Sequence, residues 1–171
     1  MDLSGYIRDV PDFPEPGILF KDIGPLLDDH RAFAEAVRSM SAPFAAADIS
    51  HVAGIEARGF LFGPSIAQEL SVGFLPIRKP GKLPGEVIAH DYALEYGTDR
   101  IEVAAGALQT GDRVLLVDDV LATGGTLQAA CALVSSSGAE IVGISVLIDL
   151  VALNGRSKLP DVHTSASIEV N

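Results

Sequence analysis

Arg113-Val114-Leu115-Leu116-Val117-Asp118-Asp119-Val120-Leu121-Ala122-Thr123-Gly124-Gly125-Thr126 is the stretch around which the rest of the chain is arranged. Its four apolar residues, Val114 to Val117, read as a strand covered on both faces, as in a parallel sheet. Leu127, Ala130, Cys131 and Val134 then recur at helical spacing. Between strand and helix stand two adjacent carboxylates and a small-residue turn. The backbone N–H groups of a glycine turn at a helix start lack intrahelical partners and point outward with the positive end of the dipole. They form an anion cradle suited to phosphate, to which Thr123 and Thr126 can add hydroxyl donors. Bare carboxylates repel phosphate, so Asp118-Asp119 make sense beside a ligand that also offers hydroxyls or arrives with a divalent cation. A sugar phosphate carrying a diol, with magnesium, satisfies both conditions. The turn is not a P-loop, because no lysine lies between Asp118 and Thr126.

Working outward, a strand is expected over His51 to Ile55, followed by the polar loop Glu56-Ala57-Arg58-Gly59. Pro64 suits the first turn of a helix running to about Leu70, and Gly73 to Arg78 reads as another strand. Phe33, Val37 and Met40 predict a helix over 29–42, capped by Asp28-Asp29. Leu3, Tyr6, Ile7 and Val10 predict a short helix over 1–10, before Pro11, Pro14 and Pro16 force an extended segment. Residues 79–98 form a long, Pro- and Gly-punctuated stretch with a hairpin strand near Ile88 to Leu94, and such loops are usually functional. Ile101 to Val103 reads as a further strand and Glu140 to Ile148 as the last strong one. The tail beyond Asn154 is weakly patterned. Alternating strands and helices predict an α/β fold, a parallel twisted sheet with helices on both faces, in a single domain over 1–171.

Composition bounds the function. The chain has 171 residues, 48% of them hydrophobic and 20% charged, which suits one compact domain. A net charge of -11 argues against nucleic acid as a partner. The longest apolar run, near Ile141 to Ile148, is too short to span a bilayer. The one cysteine, Cys131, falls on an apolar helix face and reads as a buried structural thiol in a reducing cytoplasm. His30, His51, His90 and His163 show no metal-ligand spacing.

Ligands in such sheets sit outside the carboxyl ends of the strands. That gathers three loops: Glu56 to Gly59, Lys79 to Gly97, and Asp118 to Thr126. In a chain with only 12 Lys and Arg, Arg78, Lys79 and Lys82 crowd together and Arg58 ends a neighbouring strand. A polyphosphate leaving group needs such cations, Arg58 as a planar fork and the lysines as point charges.

Val114 to Thr126 resembles the phosphoribosyl-diphosphate signature of the type I phosphoribosyltransferases. Phe13-Pro14, Pro16-Gly17-Ile18-Leu19-Phe20, Glu56-Ala57-Arg58-Gly59-Phe60-Leu61-Phe62-Gly63-Pro64, Arg78-Lys79, Gly81-Lys82-Leu83-Pro84 and Leu94-Glu95-Tyr96-Gly97 resemble the adenine branch of that family. The resemblance spans nearly all of the chain up to about residue 150. It implies transfer of a phosphoribosyl group from phosphoribosyl diphosphate to adenine, giving AMP and diphosphate. It implies an N-terminal hood over 1–28 that holds the base through Leu19, Phe20 and Lys21, and a mobile active-site loop over 79–98. Arg58, Lys79 and Lys82 would bind diphosphate, Asp118 and Asp119 the ribose, and Ala122, Thr123, Gly124, Gly125 and Thr126 the 5-phosphate. Glu95 matches the family's catalytic glutamate, and Mg²⁺ would be carried mainly by phosphoribosyl diphosphate with Asp118 beside it. A homodimer and a strained cis peptide at Glu56-Ala57 are further expectations from the resemblance. Lys21 stands where the family often has arginine, so a backbone contact to the base is expected there. The tail after Asn154 departs from the family pattern. Another purine base, a non-catalytic sensor of phosphoribosyl diphosphate and a receiver-like phosphoacceptor are the competing readings. The sensor is disfavoured by Glu95 and the basic loop, the receiver by the phosphate cradle that follows the acidic pair.

Overall fold

The computed structural model describes residues 1–93 and 98–171. In chain order the elements are β1 (Arg8–Pro11), β2 (Leu19–Asp22), α1 (Gly24–Asp28), α2 (His30–Ser41), β3 (His51–Ile55), α3 (Gly63–Leu70) and β4 (Gly73–Ile77). They continue with β5 (Val87–Ala93), β6 (Thr98–Ala104), β7 (Arg113–Leu121), α4 (Gly125–Ser136), β8 (Glu140–Leu150) and β9 (Thr164–Val170). The central sheet is parallel throughout, in the order β4-β3-β7-β8-β9.

β7 shows why the quoted stretch directs the fold. Val114 and Leu116 face a core built with Leu127, Ala130, Cys131 and Val134 of α4. Leu115 and Val117 face the opposite core, made with Val37 and Met40 of α2 and Ile66 of α3. All four strand residues are fully buried, so period-two alternation distributes one apolar run between two helical layers. Burial pushes the Cys131 thiol up to about 11, as suits a structural thiol. Asp29 caps α2 by accepting hydrogen bonds from the Arg31 and Ala32 backbone N–H groups, each at 2.9 Å. No helix among the described residues is long and apolar enough to cross a membrane.

Three elements differ from expectation. Residues 1–10 do not form a helix: Ser4–Tyr6 make one tight turn, and Arg8–Pro11 pair antiparallel with β2. Leu3, Tyr6 and Ile7 do pack together on the α2 side, so the helical spacing reported a real apolar contact with the wrong backbone. Ile101 to Val103 is a strand as expected, but its place is outside the parallel sheet, in the return strand of a hairpin with β5 that packs against α4. The weakly patterned tail ends in β9, which pairs parallel to β8 and completes the sheet.

Candidate active site

At the carboxyl ends of β3 and β7, Arg58 reaches the acidic pair. Its Nε lies 2.7 Å from Asp119 Oδ2, and its guanidinium carbon stacks 4.7 Å from the centre of the Phe20 ring. Its Nη1 also donates to the Lys21 carbonyl at 3.4 Å. One side chain therefore ties strand β2, the loop after β3 and the end of β7 to a single point. Gly59 makes this approach possible, because a Cβ there would stand 2.8 Å from the Val117 carbonyl oxygen. The Glu56–Ala57 peptide bond at this loop is cis, as is Phe13–Pro14.

The two aspartates differ. Asp119 is 4% exposed, and although Arg58 supplies a neighbouring charge, Asp119 Oδ2 accepts no hydrogen bond. Asp118 lines the concavity formed with Val120 to Leu127. Burial, and then the Asp119 charge, push Asp118 well above the usual carboxylate range. Burial raises Asp119 too, with the Arg58 charge pulling in the other direction. Carboxylates whose charged forms are disfavoured in this way are groups that a ligand hydroxyl or a cation would stabilise.

In the turn that follows, Gly124 adopts φ +81° and caps α4. Ala122 to Thr126 line the same concavity. A Cβ at Gly125 would meet nothing within 4 Å, so that side of the turn is open. The start of α4, where backbone N–H groups lack intrahelical partners, thus borders a recess of the kind that holds phosphate.

The remaining cations already have acidic partners. Glu56 pairs with Lys82, takes Arg78 Nε at 3.2 Å and accepts the Lys79 backbone N–H at 2.9 Å. The Lys79 ammonium instead sits on Asp99 and Tyr92, whose hydroxyl donates to the same carboxylate at 2.9 Å. Arg58 and Lys82 are thus gathered around the loop after β3, while Lys79 is held at the hairpin. Burial alone would raise Glu56, but hydrogen bonds from Lys82, Lys79 and Arg78 outweigh it and bring its carboxyl from 4.5 down to about 2. Because the folded value lies below the ordinary one, the stability Glu56 contributes is present above about pH 4.5 and is lost as pH falls toward 2. Glu56→Gln should therefore flatten the loss of stability across that window. Urea midpoints at several acidic pH values check it, and curves parallel to wild type would dismiss the effect.

Of the residues expected to hold the base, Phe20 meets Arg58 as above and stands edge-on to Phe13 at 5.1 Å, while Leu19 is 50% exposed. The Lys21 ammonium is engaged by Asp9 at 2.7 Å. Glu95 lies outside the described residues. No cluster of three or more His, Cys, Asp or Glu side chains with metal-holding geometry occurs among the described residues.

A model of the phosphoribosyl transferase domain family matches residues 26–168. Adenine phosphoribosyltransferase of Xanthomonas campestris pv. campestris (strain B100) is 57% identical over 166 residues, spanning 96% of this chain and 89% of its own length. The chain belongs to the adenine phosphoribosyltransferases, and it is an enzyme of that family. The crystal structure of adenine phosphoribosyltransferase from Thermoanaerobacter pseudethanolicus superposes with a TM-score of 0.95 at 45% identity, covering 98% of each chain. The Saccharomyces cerevisiae adenine phosphoribosyltransferase, complexed with D-2,5-dideoxy-2,5-imino-altritol 1,6-bisphosphate and adenine, matches with a TM-score of 0.90 at 38% identity. It covers 96% of this chain and 95% of its own.

For an adenine phosphoribosyltransferase, sequence reasoning missed one residue that packs against the turn Ala122–Gly125. Gly155, in the unassigned tail, is buried against Ala122, Leu121 and Gly124. Asp149, a carboxylate in the otherwise apolar run of β8, was the available signal, because a charge in a buried strand needs a partner. That partner is Arg156, at 2.5 Å.

Proposed function

We propose that this enzyme transfers the 5-phosphoribosyl group from phosphoribosyl diphosphate to adenine, giving AMP and diphosphate in purine salvage. The observation that carries the proposal is Arg58, which joins the hood residue Phe20 to Asp119 at the ribose end. A base held at Phe20 and a ribose held at Asp118-Asp119 share one anomeric carbon between them. The bond from that carbon to the diphosphate oxygen breaks, a bond to a purine nitrogen forms, and the purine N–H proton leaves. Oxocarbenium character develops on the sugar, as in glycoside chemistry. In this reading Arg58 and Lys82 turn from Asp119 and Glu56 toward the diphosphate, joined by Lys79. Glu95 accepts the purine proton or balances the cationic base, and residues 79–98 exclude competing water.

Magnesium fits the donors at hand. Asp118 lines the concavity, whereas Asp119 Oδ2 already stands 2.7 Å from Arg58 Nε, so Asp118 is the carboxylate at hand for a cation. With so few carboxylates, the ion would take most of its oxygen ligands from phosphoribosyl diphosphate, with Asp118 as its protein contact. When bound, it supplies charge compensation for the departing diphosphate. The proposal includes a cytoplasmic homodimer; Leu61, 42% exposed beside the site loop, is an apolar group that a second copy would cover.

The deciding assay is AMP formation from adenine and phosphoribosyl diphosphate with and without magnesium, with hypoxanthine and guanine in parallel. Faster turnover of another base would reassign the specificity, and no turnover of any base would favour a sensor. Sedimentation of the same preparation reads the dimer. Glu95→Gln should lower kcat with adenine by about 10²-fold while leaving the KM for phosphoribosyl diphosphate close to wild type. An unchanged kcat removes Glu95 from the mechanism.

A further inference from the structure

The turn that would receive the 5-phosphate is built from Ala122, Thr123, Gly124 and Gly125, residues with little side-chain packing to hold them. Its aim must be fixed from behind. The structure places the Gly155 peptide there: a Cβ on Gly155 would collide with the Ala122 carbonyl oxygen and stand 2.8 Å from Leu121 Cδ1 and 3.0 Å from the Gly124 nitrogen. Reciprocally, a Cβ on Gly124 would collide with the Gly155 carbonyl oxygen. Two glycines thus bring two backbones into a contact closer than any side chain allows.

The segment leading into Gly155 is exposed, and beyond the turn Leu159 and Val162 pack on the α4 core. Val151 and Leu153 just before Gly155 are 42% and 49% exposed. Asn154 turns the chain at φ +51° into the tight turn Gly155–Lys158. What ties this turn to the sheet is Arg156. Its Nε lies 2.5 Å from Asp149 Oδ2, its Nη1 donates to the Thr164 carbonyl at 2.8 Å, and its Nη2 reaches Glu169 at 3.4 Å. Asp149 is 1% exposed and stands on β8 directly opposite Leu121, where β7 enters the phosphate turn. One planar guanidinium spread over these three acceptors fixes direction as well as distance, which an ammonium cannot do. Asp149 Oδ1 has no partner at all, so the carboxylate depends on Arg156 for its compensation.

We propose that Arg156, held by Asp149, is a positioning residue for the 5-phosphate site: it presses the Gly155 peptide against the turn Ala122–Gly125 and so sets the direction of the phosphate-binding N–H groups. The proposal rests on the reading of that turn as the phosphate cradle. Arg156 touches no substrate; it acts through Gly155.

The test uses the full chain and ribose 5-phosphate, titrated calorimetrically, so that phosphate binding is read without any base or transfer. Arg156→Met should weaken ribose 5-phosphate about tenfold and raise the KM for phosphoribosyl diphosphate by a similar factor, with the KM for adenine within about twofold of wild type. Arg156→Lys, which restores the charge without the fork, should recover part of the loss. Gly155→Ala, which leaves the Asp149–Arg156 pair in place, should weaken ribose 5-phosphate at least as much, and it keeps the test available if Arg156→Met does not fold. Unchanged ribose 5-phosphate affinity in Gly155→Ala, or in a folded Arg156→Met whose melting temperature alone has dropped, overturns the proposal. Wild-type binding of ribose 5-phosphate without AMP formation would sink the proposed reaction and leave this inference standing. Absence of ribose 5-phosphate binding by wild type overturns both.

Discussion

Asp119→Ala lowers kcat/KM for phosphoribosyl diphosphate by about 10³-fold while leaving the melting temperature unchanged or raised. The size follows from what is removed. In the proposed complex Asp119 accepts from a ribose hydroxyl, and a hydrogen bond to a charged group is worth about 1.5–3 kcal/mol. The same change frees Arg58, whose Nε lies 2.7 Å from this carboxylate, so the cation proposed to meet diphosphate loses its alignment over Phe20. The sign of the stability change follows from burial, which raises Asp119 above its ordinary value despite the Arg58 charge. A carboxylate whose charged form the fold disfavours costs stability near neutral pH, and removing it gives that cost back. Asp119→Asn, which keeps the volume, should lose about 10²-fold. Steady-state kinetics with adenine saturating, together with thermal melts, check all three expectations. A kcat/KM within threefold of wild type would remove Asp119 from the ribose site.

Gly124→Ala should do damage of another kind. At φ +81° any L-residue costs about 1–2 kcal/mol, and the new methyl group collides with the Gly155 carbonyl oxygen. The turn must open, and misplacing phosphate donors by about 1 Å costs on the order of 10²-fold. Stability and phosphate affinity should therefore fall together. The neighbouring Gly125→Ala separates the two effects. Its methyl group meets nothing within 4 Å and enters the open side of the cradle. That variant should fold as well as wild type and still bind ribose 5-phosphate poorly. Equal ribose 5-phosphate affinity in wild type and Gly125→Ala would mean that the phosphate lies elsewhere.

The centre of the molecule was legible from residues because each signal there was local. Val114 to Val117 could only be a doubly covered strand, and the acidic pair and glycine turn follow it directly in sequence. The same holds for the Asp29 cap and the Pro64 helix start. What escaped detection depends on pairing at a distance. Thr164 to Val170 offers only Ala166, Ile168 and Val170 as apolar positions, and becomes a strand because β8 supplies a free edge. Residues 1–10 carry helical spacing, but β2 competes for their backbone and wins. Glu56 read as part of a polar loop, and nothing local to it announced that Arg78, Lys79 and Lys82 would converge on it.

That convergence bears on turnover. If the cations at this end bind diphosphate, the anion does not capture free charge; it displaces carboxylates that are tethered nearby. Each contact made to the substrate is matched by one given up inside the protein, so net affinity stays moderate although the site holds several cations. On the return path Glu56 and Asp99 compete for Lys82 and Lys79 from a fixed, short distance, at an effective concentration no free anion in solution matches. On the proposed reading, the acids that neutralise the resting site would also be the groups that help expel the diphosphate.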